Sequence, residues 1–430
     1  MEYLLQWKLS ANRKPLIIRG ARQVGKTWLM KEFGRENYDN VAYINFENNE
    51  RMRSLFEHDL DVDRLMTGLQ IETDLRISAD TLIIFDEIQE VPNALTSLKY
   101  FHENAPEYHI LAAGSALGVA LHEGTSFPVG KVEFLDLYPL SFTEFLLASG
   151  NKALVDLLNS HDFSLITSFK TKYIDLLKNY YFVGGMPEAV LTYIDTKSFS
   201  QIRDIQKRLL LAYEQDFSKH ASYEVVPRIR LVWNSIPAQL SKENRKFIYG
   251  VVKQGARARE YELALQWLED SGLIHKVYRV TKPEVPLSAY QDSNAFKLFM
   301  FDVGLLGALS DLNALNLLEG NTVFTQFKGA LTEQYVFQQL LSTNAMALYY
   351  WSADKGSAEV DFIAQLNGAI YPIEVKAAEN LQAKSLKIYR QQFNPKKSIR
   401  TSMADFHDEG WLLNLPLYMI NQLGSLVSAD

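Results

Sequence analysis

The residues best suited to chemistry lie near the front of the chain, where Gly20, Gly25, Lys26 and Thr27 stand in the segment GARQVGKT. Their spacing fits G-x-x-x-x-G-K-[ST]. Glycines at these points let backbone N–H groups wrap phosphates, the lysine bridges the β and γ groups, and the threonine hydroxyl ligates Mg²⁺. Ala21, Arg22, Gln23 and Val24 complete the expected nucleotide-binding loop, and Trp28 just after it is an expected nucleotide-binding residue too. Alone, the pattern also describes a glycine-rich β–α turn with an incidental lysine. A second pair, Asp86 and Glu87, ends the apolar run TLIIF. An aspartate there holds Mg²⁺ through water, and the glutamate beside it polarises the attacking water as general base. An acidic pair at a strand end can instead cap the next helix. The order and spacing of the two motifs together point to ATP and Mg²⁺ as cofactors, and to hydrolysis over passive binding.

Such groups need a rigid frame. LIIR leads into the loop as a strand and KTWLMKEF leads out as a helix. Continuous apolar runs recur at 15–20, 41–47, 81–87, 109–115 and 131–137, separated by amphipathic stretches. That pattern predicts a parallel sheet covered on both faces, an α/β fold of the P-loop NTPase type. The run VAYINFE falls between the two motif strands. An inserted strand of that kind marks the ATPase branch that uses a catalytic glutamate. HILAAGS then delivers Ser115, where that branch carries a polar contact to the γ-phosphate or its water. An ordinary turn hydroxyl is the alternative for Ser115.

From about 140 to 280 the pattern turns helical. In REYELALQWLEDSGLIHKVYRV, Leu263, Leu265, Trp267 and Leu268 fall near helical spacing, and Gly272 stops the helix before a strand with Ile274 and Val277. A winged helix reads this way. Just upstream, Lys242, Arg245, Lys246, Lys253, Arg257 and Arg259 outnumber Glu243 and Glu260. That balance suits phosphate-backbone contact, and equally a solvated face of a packing module.

A second candidate site lies near the C-terminus. EVDF holds Glu359 and Asp361, IEVK holds Glu374 and Lys376, and the helical pattern FKGALTEQYVFQQL adds Glu333. Alternate residues on a strand share a face, so a hairpin or neighbouring strands would gather Asp361, Glu374 and Lys376. Such a set binds Mg²⁺ and steadies a developing phosphate charge, and it resembles the PD-(D/E)XK nucleases. Charges on a half-exposed strand are common, and cleavage and mere packing both stay open. The segment 384–400 has six basic residues and no acidic one, which suits a phosphate track.

Bulk properties bound the rest. A chain of 430 residues, 47% of them apolar, predicts two or three domains with substantial cores. The absence of cysteine excludes disulfides, thiolate zinc sites and cysteine nucleophiles. No signal peptide and no membrane-length apolar run is present, so a cytoplasmic protein is expected. The net charge of −7 argues against indiscriminate coating of nucleic acid. The eight histidines show no metal spacing, and no G-x-S-x-G elbow is present.

Taken together, GARQVGKT, LIIFDEIQ, LAAGSALG, LDLYPLSFTEFL, YFVGGMPEAV, FKLFMFDVGLLGAL, EVDFIAQL and YPIEVKA resemble the prokaryotic AAA-type ATPases that carry a C-terminal domain of unknown function. The resemblance spans essentially the whole chain. It implies an AAA-type ATPase core (1–150), a helical lid and winged-helix region (151–290) and a restriction-endonuclease-like α/β domain (291–430). Such proteins usually carry Gly-Arg before the strand leading to YPLSF, the arginine being a candidate finger for a neighbour's site. Here Gly130 and Lys131 stand there. A lysine lacks the planar fork of arginine. Lys131 substitutes, another arginine acts, or hydrolysis is slow. The function expected is an ATPase coupling nucleotide state to a C-terminal domain that binds DNA or a protein partner. An ATP-regulated nuclease and a non-cleaving protein switch are the alternatives, and oligomers are open.

Overall fold

In the computed structural model, which describes residues 1–114, 127–242, 246–314, 325–344, 346–354, 357–378 and 382–428, the chain divides into two compact units. The first comprises Met1–Tyr138 with Asp270–Gly272, and the second Pro139–Glu269 with Leu273–Asp430.

All five apolar runs of the first unit are strands: β1 (Leu16–Arg19), β2 (Asn40–Asn45), β3 (Thr81–Asp86), β4 (His109–Ala113) and β5 (Glu133–Asp136). They form one parallel sheet in the order β2-β3-β4-β1-β5. Alternation along each strand sends side chains to opposite faces. Ile17, Ile83, Phe85 and Ile110 pack with Phe56, Leu65 and Leu98 from helices on one side. Leu16, Ile18, Leu82, Ile84 and Leu111 meet Met30 and Phe33 of the helix Lys26–Asn37 on the other. Every residue of β3 is buried, which explains its unbroken apolar sequence. One expectation is corrected. VAYINFE precedes β3 in sequence, yet β2 pairs with β3 alone at the sheet edge. The strand inserted between β1 and β3 is β4, hydrogen-bonded to both. Sequence order cannot reveal this, because helical crossovers let a parallel strand return to either side.

The second unit is helical from Phe142 onward and then builds an eight-stranded mixed sheet. Its strands are β6 (Ile274–Val280), β7 (Gln291–Met300), β8 (Ala347–Ser352), β9 (Glu359–Leu366), β10 (Ala369–Val375), β11 (Ser398–Ser402), β12 (His407–Asp408) and β13 (Leu412–Pro416), in the order β12-β13-β11-β10-β9-β8-β6-β7. Gly272, at φ 73°, ends the helix Ala258–Asp270 as expected. The strand after it, β6, runs antiparallel to β7 and parallel to β8, so it belongs to the large sheet. The buried face of that helix is Tyr261, Ala264, Leu265 and Leu268, whereas Leu263 is 65% exposed. Counting apolar residues misplaced the stripe, because 261, 264, 265 and 268 share the i, i+3, i+4, i+7 face and 263 does not.

The signatures YPLSF and GGMPE meet in this unit. Leu140 N–H donates to the Gly185 carbonyl at 2.8 Å, and a Cβ on Gly185 would stand 2.1 Å from the Leu140 carbonyl oxygen. Only glycine allows that approach. The buried Asp302 carboxylate accepts from the backbone N–H groups of Gly185 and Leu305 and from the amide of Gln338. The helix Thr325–Ser342 buries a polar row: Gln334 clasps both backbone groups of Met300, Gln338 accepts from Val303 N–H, and Gln339 accepts from Phe142 N–H. Fully satisfied polar groups cost little to bury, and they fix one arrangement of elements.

Candidate functional site

The loop between β1 and the helix Lys26–Asn37 has three backbone positions at positive φ, namely Gly20 (146°), Gln23 (64°) and Gly25 (99°). A Cβ on Gly20 would lie 2.2 Å from the Leu137 carbonyl oxygen, so that residue is fixed by contact as well as by conformation. The Lys26 ammonium folds back over the loop and donates to the carbonyls of Gly20 (2.9 Å) and Ala21 (2.8 Å). It is 7% exposed, and burial pulls its pKa down to about 8 against the opposing pull of Glu87 and Asp86. This is a strong donor held in reserve on weak acceptors. An arriving anion offers it better partners.

The strand β3 brings Asp86 to the same end of the sheet. Thr27 Oγ1 donates to Asp86 Oδ2 at 2.7 Å, the Tyr43 hydroxyl donates to the same oxygen at 2.9 Å, and Glu87 N–H donates to Oδ1 at 3.1 Å. Asp86 is 3% exposed. A hydroxyl and a carboxylate in contact are hard oxygen donors of the kind that suit Mg²⁺, and together with the cradle and its lysine they fit a nucleotide–metal complex. Glu87 stands at φ 50°, and its Oε2 accepts from the Gln89 amide at 2.7 Å.

In the second unit, β9 and β10 form a hairpin through Asn367 and Gly368, both at positive φ. The hairpin does gather the expected carboxylates. Asp361 Oδ2 accepts from Val375 N–H at 2.7 Å, and Lys376 Nζ lies 2.8 Å from Glu374 Oε1. Glu374 is buried, and burial raises its pKa, with Lys376 pulling the other way. Glu333, from the helix Thr325–Ser342, arrives on the same side. The sequence reading missed the group at the centre. Lys297 on β7 is fully buried, with its ammonium 2.5 Å from Glu359 Oε1, 3.8 Å from Glu333 Oε2 and 3.9 Å from Asp361 Oδ1. Among the described residues, no three Asp, Glu or His side chains gather at metal-holding geometry.

Residues 12–146 match the family model described as AAA domain. These residues form an AAA-type ATPase domain. The chain is therefore an ATPase and binds ATP. Residues 174–316 and 328–418 match two further models, each described as a domain of unknown function (DUF8612 and DUF4143). A comparison with curated proteins gives no match. Among solved structures, a Walker-type ATPase of Pyrococcus abyssi is similar over 72% of this chain and 95% of its own, at 14% identity and a TM-score of 0.44. The Orc1 protein of Aeropyrum pernix, solved in complex with DNA, covers 72% of this chain and 90% of its own, at 14% identity and a TM-score of 0.27. Cdc6p from Pyrobaculum aerophilum covers 74% and 94%, at 13% identity and 0.27.

The other expected residues of the ATPase domain fall in different places. Trp28 is 67% exposed, next to Thr27. Arg22 is half-buried and Gln23 exposed, while Ala21 and Val24 are buried. Lys131 precedes β5, at the end of the sheet away from the loop, where its ammonium lies 2.9 Å from Glu103. It is not gathered with Lys26 and Asp86 of the same chain. Ser115 lies outside the described residues, as do Glu243 and Arg245 of the basic middle stretch. Sequence reasoning missed Tyr43 and Gln89 as well as Lys297. Gln89 sits in the motif already quoted, two residues after the acid it holds. No described helix is long and apolar enough to cross a membrane.

Proposed function

We propose that the ATPase works on Mg²⁺–ATP and uses the cycle to change how its second unit engages a nucleic acid or protein partner, without cutting it. The observation that carries the nucleotide chemistry is the Thr27–Asp86 contact at 2.7 Å beside the folded-back Lys26. Lys26 leaves the Gly20 and Ala21 carbonyls for the β- and γ-phosphates, and the loop N–H groups hold the remaining oxygens. Thr27 and Asp86 would hold the metal, which would supply neutralisation of the phosphate charge. Glu87, oriented by the Gln89 amide on its Oε2, takes the proton of the attacking water.

Binding over cleavage is favoured by Lys297. Its ammonium already supplies the positive charge that Glu333, Glu359 and Asp361 would otherwise draw from a metal. In the basic segment 384–400, Arg400 is buried with its Nε on Asn414, Lys397 pairs with Asp408, and Arg390 stacks over Trp411. Half of the suggested phosphate track is thus engaged with other groups of the protein. The nuclease reading keeps one observation in its favour, the Asp361–Glu374–Lys376 grouping across β9 and β10.

The test is ATP turnover by the full chain and by Glu87→Gln, with and without DNA or RNA, alongside strand cleavage by wild type and Asp361→Ala in Mg²⁺ or Mn²⁺. Turnover by wild type, nucleotide binding without turnover by Glu87→Gln, and no cleavage is the expected set. Cleavage that Asp361→Ala abolishes would replace this reading with the nuclease. Equal turnover by Glu87→Gln would remove Glu87 as base.

A further inference from the structure

We infer that Tyr43 is a positioning residue for the metal-holding carboxylate, tuning Mg²⁺ affinity through its hydroxyl on Asp86. The inference rests on the Mg²⁺ reading proposed above. Asp86 Oδ2 carries two donors, Thr27 at 2.7 Å and Tyr43 at 2.9 Å, and Glu87 N–H occupies Oδ1. Two of these belong to the nucleotide motifs. The third comes from β2, the edge strand that pairs only with β3, in a register that sets Tyr43 opposite Ile84 and Asn45 opposite Asp86.

The phenol is held from its other side too. The Lys31 ammonium, one turn beyond Thr27 on the helix Lys26–Asn37, sits 3.6 Å from the Tyr43 ring centroid. Tyr43 thereby links the helix that carries Thr27 to the strand that carries Asp86. With one lone pair of Oδ2 bound to Tyr43, the carboxylate plane is set before any metal arrives. Partners of this type, one bond removed from the metal, commonly change affinity by about 10- to 100-fold when lost.

The test removes only the hydroxyl. Tyr43→Phe keeps the ring and its Lys31 contact, and a thermal melt checks that the chain is folded. Binding of a fluorescent N-methylanthraniloyl ATP analogue is titrated with Mg²⁺, and separately measured in EDTA. The half-saturating Mg²⁺ should rise about tenfold in Tyr43→Phe, with affinity in EDTA unchanged. In an Asp86→Asn background the same substitution should add nothing to the Mg²⁺ requirement. Identical Mg²⁺ curves for wild type and Tyr43→Phe would overturn the inference. So would an equal loss in EDTA, which would mark a packing role. If wild type itself shows no Mg²⁺ dependence, the proposed metal chemistry falls first.

Discussion

Thr27 and Asp86 lie 59 residues apart in sequence, and a 2.7 Å hydrogen bond joins them. Two strands and two turns produce that contact. The helix beginning at Lys26 starts immediately after the loop that follows β1, and Asp86 is the last residue of β3. Parallel strands present their carboxyl ends on one side, so residues that end such strands converge in space. The Thr27 hydroxyl is therefore committed to the carboxylate before a nucleotide enters.

Thr27→Ser keeps the hydroxyl and should retain most ATP turnover. Thr27→Ala should lower kcat roughly 100-fold or more at saturating Mg²⁺, since it removes both a hard oxygen ligand and the contact to Asp86. Steady-state phosphate release measures both. Comparable rates in Thr27→Ala and wild type would refute the assignment.

Gln89 donates to Glu87 Oε2 at 2.7 Å, which stabilises the carboxylate and lowers its basicity toward the attacking water. Gln89→Ala should raise basal turnover up to about fivefold, the factor that one net hydrogen bond of about 1 kcal/mol represents. A fall in turnover would show instead that orientation of the base by Gln89 outweighs that loss of basicity.

Lys297 is fully buried among Glu333, Glu359 and Asp361. Lys297→Ala leaves those carboxylates uncompensated and should cost about 3–5 kcal/mol in urea unfolding. Adding Glu359→Gln should recover part of the loss, because the two substitutions act on one ion pair. Strict additivity of the two effects would contradict the pairing.

His109, at the start of β4, has its Nδ1 2.6 Å from the Tyr38 hydroxyl. Burial, followed by the nearby Arg13 and Lys8 charges, pulls its pKa from 6.5 down to about 4. The unfolded chain takes up the proton first as pH falls, so this contribution to stability is present above about 6.5 and is lost progressively towards 4. Melting temperatures of wild type should fall more steeply across that window than those of His109→Gln. Parallel curves would show that the ring is accessible to protons in the folded state.

What the sequence determined by itself is what contiguous chain can encode. The loop from Gly20 to Thr27, the pair Asp86–Glu87 and all five strands of the parallel sheet were legible, because a strand, a tight turn and a helix start fix local spacing covalently. The strand character of EVDF and IEVK was legible through alternation, whereas the structure decided that β9 and β10 pair as a hairpin through Asn367 and Gly368. The tertiary structure alone decided which strand separates β1 from β3, since nothing in a crossover's length says where the next strand inserts. It alone revealed β7, which begins with a polar stretch (QDSN) and turns fully buried only from Ala295. Tyr43 and Lys297 look like ordinary residues of half-apolar strands. Each acquires its role from a carboxylate that a different strand delivers, and a contact between distant segments leaves no periodicity in either one.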